Sequence, residues 1–163
     1  MTNLEQLTKE YRDFYQGTPW YGRSFKEIIE DITAPDALAV AGNGQSIAQL
    51  LCHMIKWRKS LTIRLLGNTD FRASDQDPDN WPTQNTLNAE VWDQAKIEFG
   101  ALQATIIAEL KKREDPFLDE VFVPGNERYT YRYLIIGVIQ HDIYHLGQIS
   151  LMKQLLRASI SNN

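Results

Sequence analysis

The chain has three histidines, His53, His141 and His145, and their spacing is that of metal ligands. His141 and His145 are four residues apart, just over one helical turn, so in a helix their rings leave the same face, one above the other. His53 lies in a separate apolar-periodic segment, which a helix bundle can lay against that pair to gather three nitrogens around one point. A single buried histidine is most simply satisfied by a carbonyl or carboxylate. Three on facing core stripes would bury several polar nitrogens that each need a partner, whereas one divalent ion satisfies three of them together. The H-x-x-x-H pattern is not that of the zinc proteases, because Asp142 rather than glutamate follows His141.

Three neutral imidazoles leave positions open around the ion, which is the arrangement of a catalytic site rather than a closed structural one. Such an ion lowers the pKa of a bound thiol, or brings that of a bound water to roughly 7, and so supplies a nucleophile for transfer to a small electrophile or for hydrolysis. With every histidine engaged, proton transfer falls to the bound species, a carboxylate or a tyrosine. Gln148, one turn beyond His145, either contacts the bound water or substrate or is an ordinary polar residue of the helix. Asp142, rotated about 100° from the stripe, is expected behind the ligands or at the surface. Trp57 reads as core packing, Arg58 as a solvated helix-surface residue, and Cys52 as a small buried apolar residue turned away from His53. Two other readings stay open: a metal-binding or stress-related dimeric interaction protein without turnover, and a metal-free bundle with satisfied histidines.

The elements that must hold these residues are helical. Four long segments carry helical periodicity, none shows a sustained strand alternation, and the class is all-α. A capping box at Thr2 and Glu5 opens Asn3 to Gln16, the breaker Gly17-Thr18-Pro19 follows, and Ser24 to Asp31 resumes, giving a broken first helix. Gly42-Asn43-Gly44 is a loop. Ser46 and Gln49 form a second capping box for a helix reaching Leu66, in which Leu50, His53, Met54, Trp57 and Leu61 make one stripe. From Asn68 to Thr86 the chain is polar and acidic, with Pro78 and Pro82, too long for an ordinary bundle connection and suited to a lid or a partner surface. Asp75, Asp77 and Asp79 resemble the start of a calcium loop, but Pro78, Asn80 and Thr86 break the motif, leaving a solvated loop. A third helix spans about Asn88 to Arg113, and Asp115-Pro116 stops it. Glu120 to Tyr131 is a short hairpin or an irregular connection. Thr130 caps the fourth helix, whose stripe is Leu134, Val138, His141, His145, Gln148, Ile149 and Met152. Ile135, Ile136, Ile139 and Ile143 lie off that stripe, which predicts burial on a second side and a homodimer. Gly147 inside this helix points to a close neighbour or ligand.

Composition narrows the partners. A chain of 163 residues with 43% apolar residues suits one domain, 1–163, with a single core. A net charge of -4 with scattered lysines and arginines excludes an electrostatic footprint for nucleic acid or an anionic membrane. The N-terminus lacks a signal-peptide pattern and no run of eighteen apolar residues occurs, so a soluble, cytoplasmic protein acting on a small-molecule substrate is expected.

Residues 140 to 152, QHDIYHLGQISLM, with Gly137-Val138-Ile139 before them, resemble the last-helix signature of the DinB-like (DinB/YfiT) family of metal-binding four-helix bundles. There, one histidine of the second helix joins two of the fourth; His53, in QLLCHMIKWR, matches the first and His141 and His145 the others. Pro19-Trp20, the capped second helix and the order of long helices extend the likeness over essentially the whole chain, while the 68–86 loop matches nothing in it. The resemblance implies an up-down-down-up bundle, often dimeric, binding zinc, nickel, iron or a similar divalent ion. Some relatives are thiol-dependent transferases or isomerases using a low-molecular-weight thiol, such as bacillithiol, mycothiol or glutathione; others are regarded as metal-dependent hydrolases. The expectation is a divalent-metal-dependent enzyme of one of these two kinds.

Overall fold

Helix starts fall where the sequence supplies caps. The computed structural model describes residues 1–40, 44–68, 71 and 73–161, with the side chains of 159–161 left out; Gly42 and Asn43 of the expected glycine loop, and 69, 70 and 72 of the acidic one, lie outside the described residues. Helix α1 (Asn3–Gln16) opens on Thr2, whose hydroxyl accepts from the Glu5 N–H at 3.2 Å while the Glu5 carboxylate accepts from the Thr2 N–H at 2.9 Å. It stops at Gly17, and the broken continuation is two short helices, α2 (Phe25–Glu30) and α3 (Ala34–Leu38). Helix α4 (Ile47–Leu65) starts at the Ser46–Gln49 capping box, α5 (Ala89–Leu110) at Asn88, and α6 (Tyr131–Ser161) follows Thr130, whose hydroxyl accepts from the Tyr133 N–H at 3.2 Å. Helix α5 ends three residues earlier than its lysine-rich tail suggested, and the Arg113 side chain beyond it donates to the Leu65 and Glu109 carbonyls. The 120–131 segment forms no strand. A single antiparallel bridge joins Val121 to Thr130, and Gly125, at φ +77°, makes the reversal.

Among the described residues the protein is all-α, with six helices and no strand. Helix α4 packs against α5 and α6, and α1 against the same two. Paired side chains give the directions. On α4 and α6, His53 meets His145, Arg58 meets Asp142, and the Tyr131 hydroxyl meets the Arg64 carbonyl, so they are antiparallel. Asp115 just beyond α5 caps the start of α1, and Gln103 reaches Tyr11, so α1 and α5 are antiparallel too. Arg58–Gln103 and Leu65–Arg113 make α4 and α5 parallel. The order is therefore up-down-down-up, with α1, α4, α5 and α6 as the four bundle helices.

The core is Leu7, Tyr11 and Phe14 of α1, Leu50, Met54 and Leu61 of α4, Phe99 and Ile106 of α5, and Ile135 and Ile149 of α6. Phe25 stacks on Phe99 at 4.0 Å, and Gly100 gives way to Tyr15, whose hydroxyl would stand 2.7 Å from an added Cβ. None of the described helices is long and apolar enough to cross a membrane.

Candidate metal centre

Helices α4 and α6 cross so that the three imidazoles converge. His141 Nε2 lies 3.0 Å from His53 Nε2 and 3.0 Å from His145 Nε2, and the three rings offer ligand atoms all within 4.8 Å of one another. Metal–nitrogen bonds of about 2.0–2.1 Å place two ligands about 2.9 Å apart at right angles and about 3.3 Å apart at the tetrahedral angle. The two spacings to His141 fall in that interval. His53 and His145 are 4% and 6% exposed, and His141 is half-buried.

Hydrogen bonds on the far side of two rings set their tautomers. His53 Nδ1–H donates to the Asn80 carbonyl at 3.0 Å, and His145 Nδ1–H to Gln148 Oε1 at 2.6 Å. Both Nε2 atoms then carry lone pairs, and both aim at His141 Nε2, which holds one proton at most. Burial lowers the pKa of all three; hydrogen bonds to Asn80 and Gln148 partly oppose it at His53 and His145. His141, where repulsion from His145 and His53 adds to burial, is lowered to about 3. The rings are thus neutral near pH 7, and without a cation one of the two short N···N contacts sets lone pair against lone pair. A divalent ion removes that conflict, so the donor set fits one. Gln148 touches His145 from behind and donates from Nε2 to the Tyr144 hydroxyl at 3.3 Å; it holds a ring in place rather than facing the convergence point.

The acidic loop is not simply solvated. Asp77 and Asp79 both pair with Lys56, the former at 2.8 Å, and Trp81 lies flat on His53, ring centroids 3.9 Å apart and planes 7° from parallel. Asn80 and Trp81 were missed because one contributes only a backbone carbonyl. The other was an available signal, a tryptophan in an otherwise polar, acidic stretch.

Behind His141 lies a buried polar node that corrects the surface expectation for Arg58. Its side chain is completely buried, with Nε 2.8 Å from Asp142 Oδ2 and Nη1 2.6 Å from Gln103 Oε1. The guanidinium stands 4.0 Å over the Phe99 ring. Gln103 Nε2 donates to the Tyr11 carbonyl at 2.7 Å, and the Tyr11 hydroxyl to the Ile135 carbonyl at 2.8 Å. All four bundle helices meet there. Burial raises the Asp142 carboxyl to about 6 against the opposing pull of Arg58, so it stays ionised near pH 7. Asp142 is thus behind the ligands, the first of the two places anticipated. Trp57 is half-buried rather than core, and Cys52 is half-buried against the core; Trp57 faces His141 edge-on at 6.0 Å. Gly147 has no close neighbour, since an added Cβ would meet nothing within 4 Å.

An antiparallel crossing of second and fourth bundle helices, with three neutral imidazoles converging between them, fits a metal-binding helical bundle. The chain belongs to the DinB superfamily, whose sequence model matches residues 20–149 and so spans all three histidines. Neither the curated proteins nor the solved structures include a match to this chain.

Proposed function

We propose that this protein is a divalent-metal-dependent enzyme in which His53, His141 and His145 hold the ion and a small molecule is the substrate, the reaction being thiol-dependent transfer or hydrolysis. The observation that carries the reading is the convergence of three Nε2 atoms of which two are fixed as lone-pair donors by Asn80 and Gln148. An ion of the zinc, nickel or iron type would supply Lewis acidity and a nucleophile at neutral pH. The chain's own residues do the rest. Asn80 and Gln148 keep protons on the distal nitrogens, and Trp81 shields His53 from water.

A groove of about 570 Å³ runs from His141 past Trp57, Leu134 and Gly137, with Asp75 at its edge. That volume suits a small molecule, and in this reading the substrate lies there with Asp75 taking the released proton. A homodimer through α6 is part of the proposal, supported by the exposed Tyr144, Leu151 and Leu155, spaced seven and four residues apart, with the exposed Ile143 beside them, as is a cytoplasmic location, with neither nucleic acid nor membrane as partner.

The test is elemental analysis of protein purified without a metal-binding tag, followed by assays pairing electrophiles with a panel of thiols. One ion per chain, lost in His141→Ala, and a rate requiring both metal and thiol support the transferase; turnover with water alone supports the hydrolase. An unchanged metal content in His141→Ala refutes the three-histidine site, and a fully loaded protein without turnover leaves a metal-binding protein.

A further inference from the structure

The segment from Ser74 to Pro82 is fastened along one face of α4 at three points. Gln49, His53 and Lys56 stand at i, i+4 and i+7, and each holds it. Gln49 Nε2 donates to the Pro82 carbonyl at 2.9 Å, His53 Nδ1 to the Asn80 carbonyl at 3.0 Å, and Lys56 Nζ to Asp77 at 2.8 Å and to Asp79. Between these fastenings the segment is internally braced. The Ser74 N–H donates to Asp77 Oδ2 at 2.9 Å, the Asn80 N–H to the Asp77 carbonyl at 2.9 Å, and Asn80 Nδ2 to the Asp75 carbonyl at 3.0 Å. Displacing Asp77 therefore displaces Asn80 and, with it, Trp81 on the His53 ring. The Lys56 side chain is only 10% exposed, whereas Asp77 is 36% and Asp79 80% exposed, so the fastening is shielded from solvent on the lysine side only.

We propose that the 74–82 segment is a strap that makes His53 a metal ligand, and that Lys56 is the positioning residue that sets the strap. Lys56 touches neither the convergence point nor the groove. It acts through the braced loop, holding the Asn80 carbonyl on Nδ1 so that Nε2 is the lone-pair nitrogen, and holding Trp81 so that the ring cannot turn away. The inference rests on the three-histidine reading and adds to it the element that brings the isolated ligand of α4 into line with the preformed pair on α6.

Zinc titration of the full chain tests this, with metal-free thermal unfolding measured on the same samples. Lys56→Met is expected to weaken zinc binding by about 10–100-fold, as loss of an outer partner does at other metal sites, while the metal-free midpoint moves by no more than a few degrees. Lys56→Arg, which keeps the charge and reach, is expected to restore affinity to within about threefold of wild type. The indole–imidazole stack gives a second readout: zinc-induced change in tryptophan emission should be smaller in Trp81→Leu, where only Trp57 remains beside the histidines, and diminished in Lys56→Met. If Lys56→Met does not fold, the double variant Asp77→Asn, Asp79→Asn removes the same fastening from the loop side and carries the same expectation. Wild-type affinity in Lys56→Met, or equal weakening by methionine and arginine, overturns the strap. Failure of the wild type to bind zinc overturns instead the metal reading on which the strap depends.

Discussion

Removing either member of the Arg58–Asp142 pair should be costly, but in two ways that pH separates. In Asp142→Leu the guanidinium stays in a fully buried position between Phe99 and Gln103 with no carboxylate beside it. Breaking a buried pair in this way costs about 3–5 kcal/mol. For a chain of this size that corresponds to a fall in Tm of roughly 6–20 °C. In Arg58→Met the stranded group is a carboxyl that burial already raises to about 6 with Arg58 present, and without the guanidinium it rises further. That variant can relieve its own penalty by taking up a proton.

The sign follows from linkage. Between about pH 6 and the higher pKa of the variant, folded Arg58→Met holds one more proton than the folded wild type. Its deficit relative to wild type should therefore shrink by up to about 1.4 kcal/mol for each unit as pH falls from 8 toward 6. Over the same interval the Asp142→Leu deficit should not shrink but widen by about 0.4 kcal/mol, as folded wild type begins to protonate Asp142 near pH 6, and histidine titration, common to all three proteins, cancels. The double variant should recover much of the loss, because replacing both charges removes the desolvation cost along with the attraction. Urea unfolding of the four proteins at pH 8, 7 and 6 gives the complete cycle. A deficit below about 1 kcal/mol for Asp142→Leu, or the same pH profile for both single variants, would refute the assignment of a buried, mutually dependent pair.

Three further outcomes follow from the same contacts. Metal-free protein should lose stability as pH drops below about 6.5, by about 1.4 kcal/mol per unit for His141 alone, because the unfolded chain binds a proton that the folded ring, at about 3, refuses; the difference between wild type and His141→Asn, measured with chelator present, isolates this from Asp142, which acts in the opposite sense, and a flat difference down to pH 5 contradicts it. Gly137→Leu, at a position where an added Cβ meets nothing within 4 Å, should fold, retain its metal, and lose substrate turnover by filling the groove beside His141; full activity would place the substrate elsewhere. Gly147→Ala, also in open space, should raise stability by about 0.5–1 kcal/mol in urea unfolding, whereas a loss would mean that a second copy packs closely on this face.

The helices, their caps and the ligand candidates were legible because each is encoded locally. Thr2 with Glu5 and Ser46 with Gln49 state a helix start within four residues, and His141 with His145 states a shared face within one turn. The rest of the site depends on pairs far apart in the chain. Arg58 and Asp142 are 84 residues apart; taken alone, Arg58 reads as an ordinary surface charge and Asp142 as a residue either behind the ligands or at the surface. Only when α4 and α6 are antiparallel does each become the reason the other can be buried. Asn80 contributes a carbonyl, which every residue has, so no side-chain pattern could single it out.

The node and the strap divide one task between them. A four-residue spacing orients two imidazoles relative to each other but leaves the rotation of α6 about its own axis undefined, and nearly all-round apolarity in that helix does not define it either. Asp142 follows His141 directly, so tying it to Arg58, and through Gln103 to α5 and α1, fixes that rotation and aims the pair at α4. The strap then fixes the one remaining freedom, the turn of the His53 ring about its own side-chain bonds. A change in the node should therefore disturb stability and metal binding together, whereas a change at Lys56 should disturb metal binding with little effect on stability.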